Sequence, residues 1–214
     1  MNLDTPPLDP HPFSPSMAWA GFRNRDAILE VLRDIFPRKK CRVLEFASGS
    51  GMHVHYFAPH FAHLTFHPSD KDEEVLPHIE ERTRQSGLRN VAKPRRLDLG
   101  LPHTWPDGEE FHAIYCIDVL QVAPVSIADG MMKCASKVLA DDGLLFVYGP
   151  FLDYGRFTAA SNEEFDRRLR SAGEAGWGLK DIAELDRAAG RNGMRLDDEI
   201  DMPSNDFALI YRRA

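Results

Sequence analysis

Apolar positions along this chain fall into two spacings. Short runs with little polar interruption, at residues 43–46, 64–67, 111–117 and 144–148, read as strands. The unbroken run Phe111-His112-Ala113-Ile114-Tyr115-Cys116-Ile117 reads as a central strand buried on both faces. Between these runs the spacing changes to 3.6 residues: Ile28, Leu29, Leu32, Ile35 and Phe36; then residues 53–61; then Val75, Leu76 and Ile79 within 71–86; then 127–139. Alternation of strand and helix predicts a single doubly wound, Rossmann-like α/β sheet that is mostly parallel.

Boundary residues sharpen this outline. Prolines 6, 7, 10, 12 and 15 keep residues 1–16 out of helix or central strand, as a tail or an extended lid before a domain spanning 17–214. Arg23 and Asn24 are expected to open the first helix, and Pro37 to stop it. Pro77 kinks the 71–86 helix or delays its start, and Gly87 closes it. A short third strand, 94–97, delivers Asp98, and Asp141-Asp142-Gly143 turns the later helix into strand 144–148. Ser161-Asn162-Glu163-Glu164 has the form of a capping box, and Asp181 that of a helix cap. Gly173, Gly176 and Gly178 flank Trp177 in what reads as a flexible cover. At the end of the chain, strands 194–200 and 207–211 are joined by five residues. That is too short for a crossover, so the two must pair antiparallel.

Composition narrows the class. The chain has 214 residues, 43% hydrophobic and 28% charged, within the range of one globular domain. A formal net charge of -7 offers no general attraction to a phosphate backbone, so nucleic acid is not expected as a partner. The one strong basic cluster, Arg38-Lys39-Lys40 with Arg42, sits before the first strand and reads as a solvated helix end. Cys41, Cys116 and Cys134 form neither a disulfide framework nor a zinc pattern, and the histidines lack metal-ligand spacing, so no metal is expected. No stretch is apolar enough to span a membrane, and the first residues do not resemble a signal peptide. A cytoplasmic monomer or homodimer acting on a small molecule is the expectation.

The candidate chemistry centres on Glu45-Phe46-Ala47-Ser48-Gly49-Ser50-Gly51, a small-residue turn between the first strand and the helix after it. In a doubly wound sheet this turn lies at the ligand-binding edge, where glycine lets the backbone approach a ligand. The second strand ends at Asp70, close to the spacing of a ribose-binding carboxylate. Val54 fills the third glycine place of a dinucleotide fingerprint, no phosphate-loop motif is present, and Glu45 is ill suited to a pyrophosphate. A phosphate-free nucleoside carrying a cation fits better.

This combination resembles the E-x-G-x-G-x-G motif of the S-adenosylmethionine-dependent methyltransferases, with Ala47 in place of the first glycine. With Arg23-Asn24, His53, HPSD ending at Asp70, YGPF at 148–151, SNEEFDRRLR, WGLKD and MPSND at 202–206, the chain resembles the methyltransferase-like 26 family, once catalogued as a domain of unknown function. The resemblance implies a class I methyltransferase fold with S-adenosyl-L-methionine as cofactor, held by Glu45, Ala47, Ser48, Gly49, Gly51, Asp70, Asp98, Leu99, Ile117 and Asp118. Asp98 would accept from the adenine amino group and Leu99 supply a backbone N–H, although Asp98 equally suits a turn cap. Asp118 and Gln121, after the fourth strand, and Tyr148 are acceptor-side candidates by location, and Arg23 by resemblance. The family pattern carries Asn and His near 118 and 121. Those departures leave a second reading open, a binding module for S-adenosylmethionine or S-adenosylhomocysteine without turnover. A nicotinamide-dependent reductase is disfavoured by Val54 and by the terminal hairpin.

Overall fold

The computed structural model describes residues 6–172 and 174–214 and divides into two compact units, Met1–Arg96 and Leu97–Ala214. Residues 1–5 of the tail or lid, and Gly173 of the glycine-flanked stretch, lie outside the described residues.

In the first unit, helix α1 (Pro15–Ile35) leads into strand β1 (Cys41–Phe46), helix α2 (Met52–Phe57), strand β2 (Leu64–Asp70), helix α3 (Leu76–Ser86) and the short strand β3 (Arg95–Arg96). α1 begins eight residues before the expected Arg23. Ser14 caps it, accepting from the Met17 N–H at 3.2 Å, and Pro15 occupies the first turn, where its missing N–H costs nothing. Its buried stripe, Gly21, Asn24, Ile28, Leu29 and Leu32, follows the helical period. A Cβ on Gly21 would stand 1.5 Å from Met52 Cε, so glycine sets how closely α1 meets the start of α2. The expected 53–61 helix stops at Phe57 and continues as a 3-10 turn, Ala58–His60, because Pro59 has no N–H to give to the ladder. Pro77 likewise delays α3 to Leu76, and Gly87 ends it in the left-handed conformation. β1 pairs parallel with β2, from Cys41 opposite Leu64 to Glu45 opposite Pro68, and β2 pairs parallel with β3.

The second unit holds strand β4 (Phe111–Ile117), helix α4 (Ser126–Val138), strands β5 (Leu139–Gly149) and β6 (Phe151–Leu152), helix α5 (Ala160–Ser171), strand β7 (Lys180–Asp181), helix α6 (Ile182–Arg191), and strands β8 (Met194–Met202) and β9 (Asp206–Arg213). β4 and β5 are parallel. The register jumps between Phe111 opposite Leu139 and Ala113 opposite Leu144, so Asp141-Asp142-Gly143 bulges out of the ladder. β9 runs antiparallel to both β5 and β8. The fold is therefore α/β, with a mostly parallel seven-stranded sheet that ends in an antiparallel hairpin. β6 and β7 form a separate parallel two-stranded ribbon. Asp181 caps α6 through the Ala183 N–H, as expected. The Ser161 capping box is not formed: α5 starts at Ala160 with Ala159 as its N-cap, and Ser161 lies inside the helix. Among the described residues, no helix is long and apolar enough to cross a membrane.

Candidate functional site

In the first unit, the end of β1 turns back on itself through a run of left-handed residues. Ala47 (φ 52°), Gly49 (φ 53°) and Gly51 (φ 72°) all have positive φ. Glycine adopts this conformation freely, whereas alanine bears a Cβ penalty of about 1 kcal/mol. Gly51 is doubly constrained, since a Cβ there would lie 3.1 Å from both His55 Nδ1 and Ile79 Cγ1. The loop is tied to the end of β2. The Ser48 N–H donates to the Ser69 carbonyl (2.8 Å), the Ser69 N–H to Ser48 Oγ (3.0 Å), and Ser69 Oγ to the Glu45 carbonyl (2.6 Å). Asp70, buried at the tip of β2, accepts from the Gly49 N–H at 2.8 Å and from the Asp72 N–H at 3.0 Å. Burial raises its pKa, while those N–H donors oppose the rise. Glu45, Ala47, Ser48, Gly49, Gly51 and Asp70 are thus brought together, and Glu45 is also buried. The Ser48 side chain braces the two strand ends.

Two histidines of α2 point to different partners, as their spacing requires. His53 Nε2 lies 2.9 Å from Asn24 Oδ1 of α1, which places the imidazole proton on Nε2. Burial, reinforced by Arg25, lowers its pKa to about 4. His55 spans from the Gly51 carbonyl (2.6 Å) to Thr83 of α3 (2.8 Å), and burial lowers its pKa as well. His55 thus props the end of the loop against α3, while His53 ties α2 to α1. Arg23 is exposed on α1, with its guanidinium over the Trp19 ring at 4.6 Å.

In the second unit, Asp98 Oδ1 accepts from the Gly100 N–H (2.8 Å), and its carbonyl accepts from Trp105 Nε1 (2.8 Å). Of the two readings of Asp98, the turn cap is the one its contacts display. Leu99 is held from behind: a Cβ on Gly130 of α4 would stand 2.2 Å from the Leu99 carbonyl oxygen. Past Ile117, Asp118 has φ 56°, a costly conformation for a residue other than glycine. Its N–H donates to the Tyr148 carbonyl (3.0 Å), and its Oδ1 accepts from Gln121 Nε2 (3.4 Å). Gln121 Oε1, Phe151 Cζ and Asp118 Oδ1 surround the bare Cα of Gly149, at 3.5, 3.6 and 3.9 Å from where a Cβ would stand. Asp118, Gln121 and the β5 end therefore form one polar turn. The Tyr148 hydroxyl donates to the buried carboxylate of Asp206 at 2.8 Å.

Several contacts of this unit carry no sequence signal. The stretch expected to be a mobile cover is tied down at its described residues. The Gly178 N–H donates to the Gln121 carbonyl (2.9 Å), the Leu179 N–H to Asp166 (2.8 Å), and Lys180 Nζ to the carbonyls of Gly176 (2.8 Å) and Gly178 (2.7 Å). Gly176 lies against Pro124, where a Cβ would meet the proline Cα at 2.7 Å. Burial, with Arg170 nearby, lowers the Lys180 pKa to about 8. Asn162 bridges Thr158 and the Asn205 carbonyl of the β8–β9 turn. Among the described residues, no group of three or more His, Cys, Asp or Glu is placed to hold a metal ion.

A family model described as "Protein of unknown function (DUF938)" matches residues 15–213, from the first residue of α1 to the last residue of β9. The chain belongs to the DUF938 family. Among solved structures it is similar to the mitomycin 7-O-methyltransferase MmcR, at 16% identity and a TM-score of 0.77 over 93% of this chain and 56% of that one. It is also similar to CalO1, a methyltransferase in calicheamicin biosynthesis seen with S-adenosylhomocysteine bound. There identity is 16% and the TM-score 0.73, over 93% of this chain and 57% of that one. The magnesium protoporphyrin IX methyltransferase of Synechocystis PCC 6803, likewise holding S-adenosylhomocysteine, matches at 15% identity and a TM-score of 0.66, over 89% and 82%. At such identities the likeness establishes a methyltransferase fold for this DUF938 chain. It spans little more than half the length of the first two.

Proposed function

We propose that this chain is an S-adenosylmethionine-dependent methyltransferase acting on a small-molecule acceptor, and that its family corresponds to the methyltransferase-like 26 proteins. One observation carries the reading: a buried carboxylate, Asp70, is bonded to the backbone of a left-handed glycine loop at the end of β1. A loop of bare backbone beside an anchored carboxylate suits a nucleoside without phosphates, and the similar structures that hold S-adenosylhomocysteine support that choice.

In this reading Asp70 would accept from the ribose hydroxyls while still holding the Gly49 N–H, and the 47–51 backbone would help hold the cofactor. Glu45 supplies negative charge at the base of the loop. Asp98 and Leu99 are assigned to the adenine, and Ile117 and Asp118 remain cofactor contacts by resemblance. The cofactor supplies an electrophilic methyl on a sulfonium. The protein's part is alignment, which is worth roughly 7 to 11 kcal/mol of barrier. Asp118 and Gln121 would orient the acceptor. Tyr148, whose hydroxyl donates to Asp206, would meet it only through the lone pairs of its oxygen.

A second reading, a cofactor-binding module without turnover, rests on Asp118 and Gln121, where the family pattern carries Asn and His. Titration calorimetry with S-adenosylhomocysteine tests the shared claim, with saturable one-to-one binding expected. Transfer of labelled methyl from S-adenosylmethionine to any member of a small-molecule panel separates enzyme from module.

A further inference from the structure

Residues 9–16, before α1, are folded onto themselves. The Asp9 carbonyl accepts from Ser14 Oγ (2.7 Å) and Ser16 Oγ (2.5 Å), and the Asp9 N–H donates to Ser16 Oγ (3.1 Å). The His11 N–H donates to Asp9 Oδ1 (2.9 Å), and the Ser14 N–H donates to the His11 carbonyl (2.8 Å). Such a knot removes most of the freedom expected of a proline-rich tail, so its position is specified rather than incidental.

The knot presents two side chains to the rest of the first unit. Pro12 reaches the cofactor loop, its Cβ 3.6 Å from where a Cβ on Gly49 would stand. Phe13 meets the ring of His78 in the first turn of α3 edge-on, with centroids 4.8 Å apart and planes at 66°. Phe13 is nevertheless 46% exposed, which is unlike a core aromatic. A half-exposed aromatic contact of this kind is worth little to global stability but enough to hold a segment in place. The left-handed glycine that donates to Asp70 is thereby roofed by a segment fastened through a partly exposed ring pair.

We propose that residues 9–16 form the outer wall of the cofactor site, with Pro12 closing over Gly49 and the Phe13–His78 pair as the latch that parts when the nucleoside enters or leaves. This inference rests on the methyltransferase reading above. The test is the dissociation rate of S-adenosylhomocysteine from the full-length protein, by surface plasmon resonance, for the wild type and for Phe13→Ala, Phe13→Tyr and Phe22→Ala. Phe22 is an exposed ring of α1 packed on Arg25, outside the knot, and serves as the control. Expected are release about 2- to 10-fold faster in Phe13→Ala, and wild-type rates in Phe13→Tyr and Phe22→Ala. Equal rates in all four proteins would overturn the latch while leaving the cofactor reading intact. Equal acceleration in Phe13→Ala and Phe22→Ala would overturn it in favour of general loosening of α1. A wild type that binds no S-adenosylhomocysteine would overturn both.

Discussion

The cofactor loop of the first unit and the polar turn of the second are built in opposite ways. At the loop, backbone conformation does the work: three left-handed residues within five positions, a serine pair joining adjacent strand ends, and a carboxylate one strand away. At the turn, partners from far along the chain do it, through backbone as well as side-chain groups. Tyr148 depends on Asp206, Asn162 on Asn205, and Gln121 on Gly178. A site made of local backbone needs particular small residues in a row. A site made of distant partners needs only polar residues that happen to meet, and it can change one partner at a time.

Substitutions can break or sharpen that contrast. The largest effect is expected for Gly51→Ala, which combines a left-handed alanine with contacts of 3.1 Å to His55 and Ile79. A loss of about 2 to 4 kcal/mol in urea denaturation is expected, and a neutral substitution would refute backbone control of the loop. Asp206→Ala in the second unit removes the carboxylate that accepts from the buried Tyr148 hydroxyl and should cost about 1 to 3 kcal/mol. Tyr148→Phe with Asp206→Ala should then cost less than the sum of the two single changes, because the pair acts as a unit.

A third prediction uses pH. The folded-state pKa of His53, about 4, lies below the ordinary 6.5, so the folded chain binds fewer protons than the unfolded chain between these values. Its contribution is complete above pH 6.5 and is lost as pH falls toward 4. Thermal denaturation across that window should show a slope that His53→Gln flattens, whereas an unchanged slope would remove His53 as its source. The smallest effect belongs to Ala47→Gly. Relief of the left-handed strain at φ 52°, offset by the entropy of glycine, should stabilise the chain by about 0.5 to 1 kcal/mol. That is a rise of roughly 1 to 4 °C in melting temperature. A fall would mean that the methyl of Ala47 packs usefully.

The same contrast explains which features are legible in the sequence and which are not. Strands 43–46, 64–67 and 111–117, the terminal hairpin, and the loop with Asp70 all follow from local patterning, and each is present. Local patterning misleads where two local signals compete. Ser161 resembles a cap, but the chain turns helical at Ala160, and Asn162 answers to the distant Asn205. Arg23-Asn24 suggests the opening of α1, although Ser14-Pro15 carries a complete start signal, a hydroxyl cap followed by proline. The glycines around Trp177 suggest mobility, but Lys180 and Asp166 secure that segment through contacts no window of sequence contains. Tyr148 does stand near the end of its strand, and only its partner, 58 residues away, shows that its hydroxyl is engaged.

The central claim is that Asp70 and the glycine loop together grip an adenosyl ligand. Titration calorimetry of S-adenosylhomocysteine against the wild type and Asp70→Ala tests it most directly. The account predicts saturable binding to the wild type and affinity weaker by about 10- to 150-fold in the variant, the worth of hydrogen bonds to a charged group. Equal affinity in the two proteins would contradict it.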